Sequence, residues 1–169
     1  MTTEAVFSKD HKHRYSLHKV WDTSKPKAAI ILLYPGYSDA LVSDTTTMLT
    51  VNQIATLGFG SVDVLNIFSL IGGKDVLSNS ETATDRVNDE YILNAAKEAD
   101  HVIIATGRGN NKAVEERTRQ VIALLEPYKD KLYSISDGKN AGYHPLSPRI
   151  RYNWVLEPLT ATNQQPTVK

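Results

Sequence analysis

The chain has 169 residues, 41% of them hydrophobic and 22% charged, the mix of a soluble globular protein long enough to bury a sizeable core. Lys+Arg and Asp+Glu number 19 each, and a net charge of zero argues against a strong non-specific grip on duplex DNA. The absence of cysteine excludes disulfides, thiolate catalysis and Cys-ligated zinc.

The first residues, "MTTEAVFSKDHKHRYS", lack the apolar stretch of a secretory signal. No window reaches the ~18 apolar residues of a membrane helix. A cytoplasmic protein without a membrane partner is the expectation. "RYSLHKVWD" (14–22) alternates polar and apolar residues and reads as an extended edge segment with Tyr15, Leu17 and Val20 turned inward. "AAIILLY" (28–34) is a continuous apolar run, as in a strand covered on both faces of a parallel sheet. Asp44 or Ser43 can cap a helix with Met48, Val51, Ile54, Ala55 and Leu57 at helical spacing, and Gly58 stops it.

"SVDVLNIF" (61–68) is the second central strand, with Val62, Val64 and Ile67 as core candidates. Residues 69–84 turn from glycine-rich to polar, the pattern of a functional or mobile loop. Asp85 can cap a helix that aligns Val87, Tyr91, Ile92, Ala95, Ala96 and Ala99. "HVIIAT" (101–106) is a third strand, and the next helix carries Val114, Val121, Ile122 and Leu125 and stops before Pro127. "KLYSIS" (131–136) is a fourth strand, followed by a loop. Four strand–helix alternations predict one α/β domain over 1–160, a three-layer α/β/α sandwich with a mostly parallel four-stranded central sheet. Residues 161–169 read as a polar, disordered tail.

Ligand sites in such sheets form beyond the C-terminal strand ends. Those ends are Tyr34-Pro35-Gly36, Asn66-Ile67-Phe68, Thr106-Gly107-Arg108 and the loop to His144-Pro145. An amide such as Asn66 offers a donor and an acceptor on one flat group, which suits the edge of a nucleobase. Aromatic rings such as Tyr34 and Phe68 suit its face. His144 can donate to a carbonyl or to charge on a leaving base, and Arg108 and Lys112 at a helix start favour an anion. Each residue also has a plainer reading: Asn66 bracing a loop, His144 a turn, Tyr34 the core. "GRGNNK" lacks the full P-loop pattern, "HKH" (11–13) has no partnering ligands, and no G-x-S-x-G occurs, so neither a metal nor a cofactor is expected. "EERTR" (115–119) reads as a solvated helix face, whereas "SPRIRYNW" (147–154) offers Arg149, Arg151 and Trp154 to a nucleic-acid strand.

In order along the chain, "RYSLHKVWD", "ILLYPGYSDALVSDTTT", "VLNIFSL", "VNDEYI", "ATGRG" and "GYHPLSP" resemble the motif series of the bacterial and phage domain-of-unknown-function family numbered 1643, over about residues 14–159. That family in turn resembles the uracil-DNA glycosylase superfamily. "YPG", "VLN" and "HPLSP" stand where those enzymes carry a catalytic loop, a base-reading Asn and a closing loop, with "TGRG" where Trp-Gly is usual. The resemblance implies that Asn66 reads a base edge and His144 polarises its carbonyl, as the catalytic residue if the protein is an enzyme. It implies that Tyr34 and Phe68 border the pocket, that Pro35 and Gly36 shape its first loop, and that Gly107 and Arg108 contribute from the third strand end. Asp44, Thr45, Asn88 and Asp89 match further motif positions without an assigned role. Glycosylases hold the attacking water with Asp or Asn where this chain has Tyr34. A phenol, with a pKa of about 10, is a poor base, and no carboxylate stands near in sequence except Asp39 and Asp44. The expected function is binding of a nucleobase-containing small molecule or nucleic acid with weak or no hydrolysis, and the alternative is an N-glycosidase.

Overall fold

The computed structural model describes residues 1–72, 83–109 and 111–160. Most of the stretch read as a functional loop (73–82) and all of the polar tail (161–169) lie outside the described residues. Seven strands form one sheet: β1 (Thr2–Phe7), β2 (Arg14–Val20), β3 (Lys27–Leu32), β4 (Ser61–Asn66), β5 (His101–Ile104), β6 (Leu132–Ser136) and β7 (Val155–Pro158). They lie in the order β1-β2-β4-β3-β5-β6-β7. Among the described residues the helices are α1 (Thr45–Thr56), α2 (Arg86–Glu98) and α3 (Lys112–Leu124), with a short 3-10 segment at Glu126–Lys131.

The expected sheet of four mostly parallel strands is thereby corrected. Its four strands are the parallel centre β4-β3-β5-β6, but three further strands pair antiparallel at the margins, β1 and β2 on one side and β7 on the other. The segment 14–22 is not an edge, because β1 pairs along it from Thr2↔Val20 to Phe7↔Arg14. Both missed strands carry polar residues, as marginal strands do when one side meets water. The register shift at Val6/Phe7 leaves Tyr15 without a partner on β1, and its ring stacks on Tyr91 of α2 with centroids 5.3 Å apart.

The continuous apolar run in β3 is explained by cover on both faces. Ala29 and Ile31 pack with Leu65, Val102 and Ile104 beneath Ile92, Ala95 and Ala96 of α2 and Val121 of α3. Ala28, Ile30 and Leu32 pack on the other face with Val62, Val64 and Ile103 against Ile54 of α1 and Ile150 and Trp154. Each fully buried aliphatic side chain stabilises the fold by roughly 1.5–3 kcal/mol. Val62, Val64 and Ile67 are fully buried, as the sequence predicts.

Asp44 and Asp85 cap α1 and α2 by accepting from Thr47 N–H and Asn88 N–H. The face of α1 differs from the one read by helical spacing. Met48 and Leu57 are exposed, while Thr47, Leu49, Thr50, Gln53 and Ile54 are buried. The inner face is partly polar because it ties loops together: the Thr47 hydroxyl bonds Ser38, and Gln53 Oε1 accepts from Trp154 N–H at 3.1 Å.

The helix after β3 covers one face and the helix after β5 covers the other, although β3 and β5 are neighbours. The chain therefore diverges between their C-terminal ends and leaves a crevice there.

Candidate functional site

A cavity of about 350 Å³ occupies that crevice. Its wall takes Tyr34 and Gly36 from the loop after β3, Asp44, Thr46 and Thr47 from the start of α1, and Asn66 from the end of β4. Thr106, Gly107 and Arg108 come from the loop after β5, His144, Leu146 and Ser147 from the loop after β6, and Arg14 from β2. All four expected strand ends thus contribute, and Tyr34, Gly36, Asn66, Gly107, Arg108 and His144 are brought together.

Two expected members are elsewhere. Phe68 is 1% exposed and packs in the core beneath α2 and α3, away from the cavity wall. Pro35 is buried and shapes the loop without lining the cavity. The stacking surface is Tyr34, half-buried with one side against the core. Gly36 has a steric reason: a Cβ there would sit 2.3 Å from Asp44 Oδ2. Gly107 has φ +87°, and a Cβ there would meet His144 Cβ at 3.1 Å, so glycine lets the fourth loop close on the third.

Asn66 is 1% exposed and its groups are unequally used. Its backbone carbonyl accepts from Asn88 Nδ2 at 2.9 Å, and its Oδ1 accepts from Arg14 Nη2 at 3.2 Å. Its Nδ2 has no partner. Arg14 is 2% exposed; Nη1 donates to Ser38 O at 2.9 Å, and Nε is unpartnered. Burial lowers the Arg14 pKa to about 10, opposed by the charge of Asp44, so the guanidinium stays protonated at neutral pH. Burial also pushes the Asp44 carboxyl up. Hydrogen bonds from Thr47 N–H and from the Ser38 and Thr47 hydroxyls, with the charge of Arg14, outweigh that and hold it below the ordinary range.

His144 Nδ1 accepts from Leu146 N–H at 3.2 Å. An accepting ring nitrogen carries no proton, so neutral His144 is protonated at Nε2. Burial lowers its pKa despite the opposing charge of Asp44, which favours this neutral donor form. Arg108 lines the cavity, but Nε and Nη2 both bond Ala141 O, at 2.8 and 2.6 Å, and its guanidinium stacks over Tyr143. Its main work is to pin the loop after β6, and Lys112 is exposed at the start of α3.

Sequence reading passed over Arg14 and gave Asp44 the cap of a helix but no part in the site, yet both stand in the wall. Asn88 and Asp89 also acquire roles. Asn88 holds the Asn66 backbone, and Asp89 pairs with Arg117, whose Nε donates to Ile67 O at 2.9 Å. Arg117 belongs to "EERTR", so that segment is not a purely solvated face. Of the residues that "SPRIRYNW" is expected to offer a nucleic-acid strand, Trp154 is 3% exposed and turned into the core, Arg149 pairs with Asp137 at the surface, and Arg151 bonds Leu146 O. Asp39 is turned to its own loop, accepting from Leu41 and Val42 N–H.

A smaller cavity of about 230 Å³ lies between β2 and α2. Its charged groups satisfy one another: Asp63 pairs with His18 and Lys27, and Lys27 also pairs with Glu98. Among the described residues, no group of three or more His, Cys, Asp or Glu is placed to hold a metal ion, and no helix is long and apolar enough to cross a membrane.

Fold and site define a mixed α/β protein with a cavity, lined by apolar and polar groups, at the point where the sheet's connections diverge. Residues 14–146 match the family described as "Protein of unknown function (DUF1643)". The chain belongs to the DUF1643 family. No curated protein and no solved structure matches it.

Proposed function

We propose that the protein, of bacterial or phage origin and cytoplasmic, binds a nucleobase-containing ligand, a nucleotide or modified base, in this cavity, and that its architecture is uracil-DNA glycosylase-like. The observation that carries this reading is the unpartnered Asn66 Nδ2, fully buried in the wall of a cavity that also holds the Tyr34 ring and the His144 imidazole. An unsatisfied buried donor costs about 1–3 kcal/mol, which an accepting ligand atom would recover. Tyr34 supplies a face for a planar ring, and His144 Nε2–H a second donor. Thermal-shift measurement with nucleosides and nucleotides tests it. A base-containing compound should raise the melting temperature of the wild type and fail to do so for Asn66→Ala; no shift with any such compound refutes the reading.

Asp44 favours a second reading, hydrolysis of an N-glycosidic bond. The carboxylate that the first loop lacks at Tyr34 stands in the same wall, close enough to act electrostatically on His144. It would orient a water and take its proton as oxygen bonds to C1′. The C1′–N bond would break with its electron pair going to the base, whose oxygen would accept from His144 Nε2–H. Free base released by the wild type and not by Asp44→Asn, with binding retained, would establish turnover. Binding without release at enzyme excess leaves the protein a binder.

A further inference from the structure

We propose that the smaller cavity, between β2 and α2, is a second binding site, and that it takes a small primary alkylamine as its ammonium ion. It shares no lining residue with the larger cavity, so the proposal stands apart from base binding.

The ion pairs of this cavity decide which of its groups remain for a ligand. Both oxygens of Asp63 are engaged: Oδ1 accepts from His18 Nδ1, and Oδ2 accepts from Lys27 Nζ at 2.7 Å. Lys27 Nζ also donates to Glu98 Oε2 at 3.1 Å. Burial pushes the Lys27 pKa down, but its hydrogen bonds to Asp63 and Glu98 and their charges outweigh that and raise it, so the side chain stays a cation. The cationic donors are thereby turned onto the protein's own carboxylates. Three acceptors in the wall have no protein donor among the described residues: Glu98 Oε1, the lone pair at Nε2 of neutral His18, and the Asn94 amide oxygen.

Charge points the same way. Asp63 and Glu98 are answered by Lys27 alone, so with His18 neutral one negative charge is left over. An anion is repelled there. A metal ion is disfavoured, because the Lys27 ammonium already stands between the two carboxylates and no three ligating groups converge among the described residues. The Glu98 side chain is 68% exposed, so a ligand can reach it from solution.

Shape supplies the rest of the ligand. Tyr91, Asn94, Ala95 and Glu98 recur at helical spacing and share one face of α2. From Glu98 to Tyr91 this face runs about 10 Å, at 1.5 Å per residue. The buried Ala95 and Leu65 give the cavity its apolar wall. An ammonium at the Glu98 end with a short alkyl chain lying towards Tyr91 suits a space of about 230 Å³.

Titration of the full, 15N-labelled chain with n-pentylamine, 1-pentanol and pentanoate tests this, read by amide chemical shifts at about pH 8 and low salt. n-Pentylamine should shift amides of β2 and α2 around His18 and Glu98, with a Kd of about 1–10 mM, ordinary for so small a ligand. 1-Pentanol should bind about fivefold more weakly or worse, and pentanoate not at all. Glu98→Gln should weaken amine binding roughly two- to fivefold, and Glu98→Lys should abolish it. Position 98 is exposed, so both variants should keep the wild-type spectrum elsewhere. Equal affinity for amine and alcohol, shifts that map outside this cavity, or undiminished amine binding by Glu98→Lys would overturn the proposal. So would the absence of any amine-induced shift well above that concentration range. None of these results bears on nucleotide binding in the larger cavity.

Discussion

Arg14 shows how one residue can brace a cavity wall from outside the strand ends that build it. It opens β2, far in sequence from Asn66, and its role exists only because β2 pairs antiparallel beside β4. Nothing about an arginine before a tyrosine announces this. Glycines are more legible, since a glycine after proline at a strand end already indicates a turn. What the sequence could not show is the neighbour each one admits. Gly107→Ala should destabilise the protein by about 1–2 kcal/mol, from the left-handed backbone conformation alone. It should also displace His144, so chemical denaturation should show a lower midpoint and ligand affinity should fall with it. Gly36→Ala should cut affinity too, because the added methyl would push the Asp44 carboxylate out of place.

At the level of elements, sequence reading did best where a single physical rule governs. Long apolar runs became the central strands, and Asp44 and Asp85 cap the helices they precede. It did worst on the face of α1, where buried threonines and a glutamine serve loops that are remote in sequence. A periodicity count treats such residues as solvent-facing, and only their partners correct it. Two substitutions separate these cases. Asp85→Asn keeps an oxygen that can cap and accept from the Tyr15 hydroxyl, and should cost no more than about 1 kcal/mol. Arg117→Met removes a buried donor that joins α3 to the end of β4 and to α2, stranding Ile67 O and Asp89, and should cost about 1–3 kcal/mol. Urea denaturation of both variants checks the ranking. If Arg117→Met costs no more than Asp85→Asn, the bond to Ile67 O does not hold the strand end.

For the whole molecule, stability should depend on pH through the cavity's own groups. Burial lowers the His144 pKa in the folded state, so below its unfolded value of about 6.5 the unfolded chain binds the proton more readily. Its contribution is complete above that pH and is lost as pH falls towards the folded value. Asp44 is also depressed when folded, so its contribution is present above about pH 4 and is lost on further acidification. Denaturation midpoints should therefore fall in two stages on acidification. His144→Gln should flatten the upper stage and leave the lower one; an unchanged upper stage would mean that His144 does not titrate as its burial requires.

By itself the sequence determined the parallel centre of the sheet, the caps, and the gathering of Tyr34, Asn66, Gly107 and His144 beyond the strand ends. All of these follow from local patterning and from the geometry of strand–helix alternation. Only the tertiary structure decided that Phe68 turns into the core, that Trp154 is buried, that Asp44 reaches the cavity and that Arg14 holds the Asn66 amide. The reason is physical: a side chain's hydrogen-bonding role depends on the group opposite it, and in a sheet that group comes from a strand whose place is set by pairing rather than by proximity along the chain.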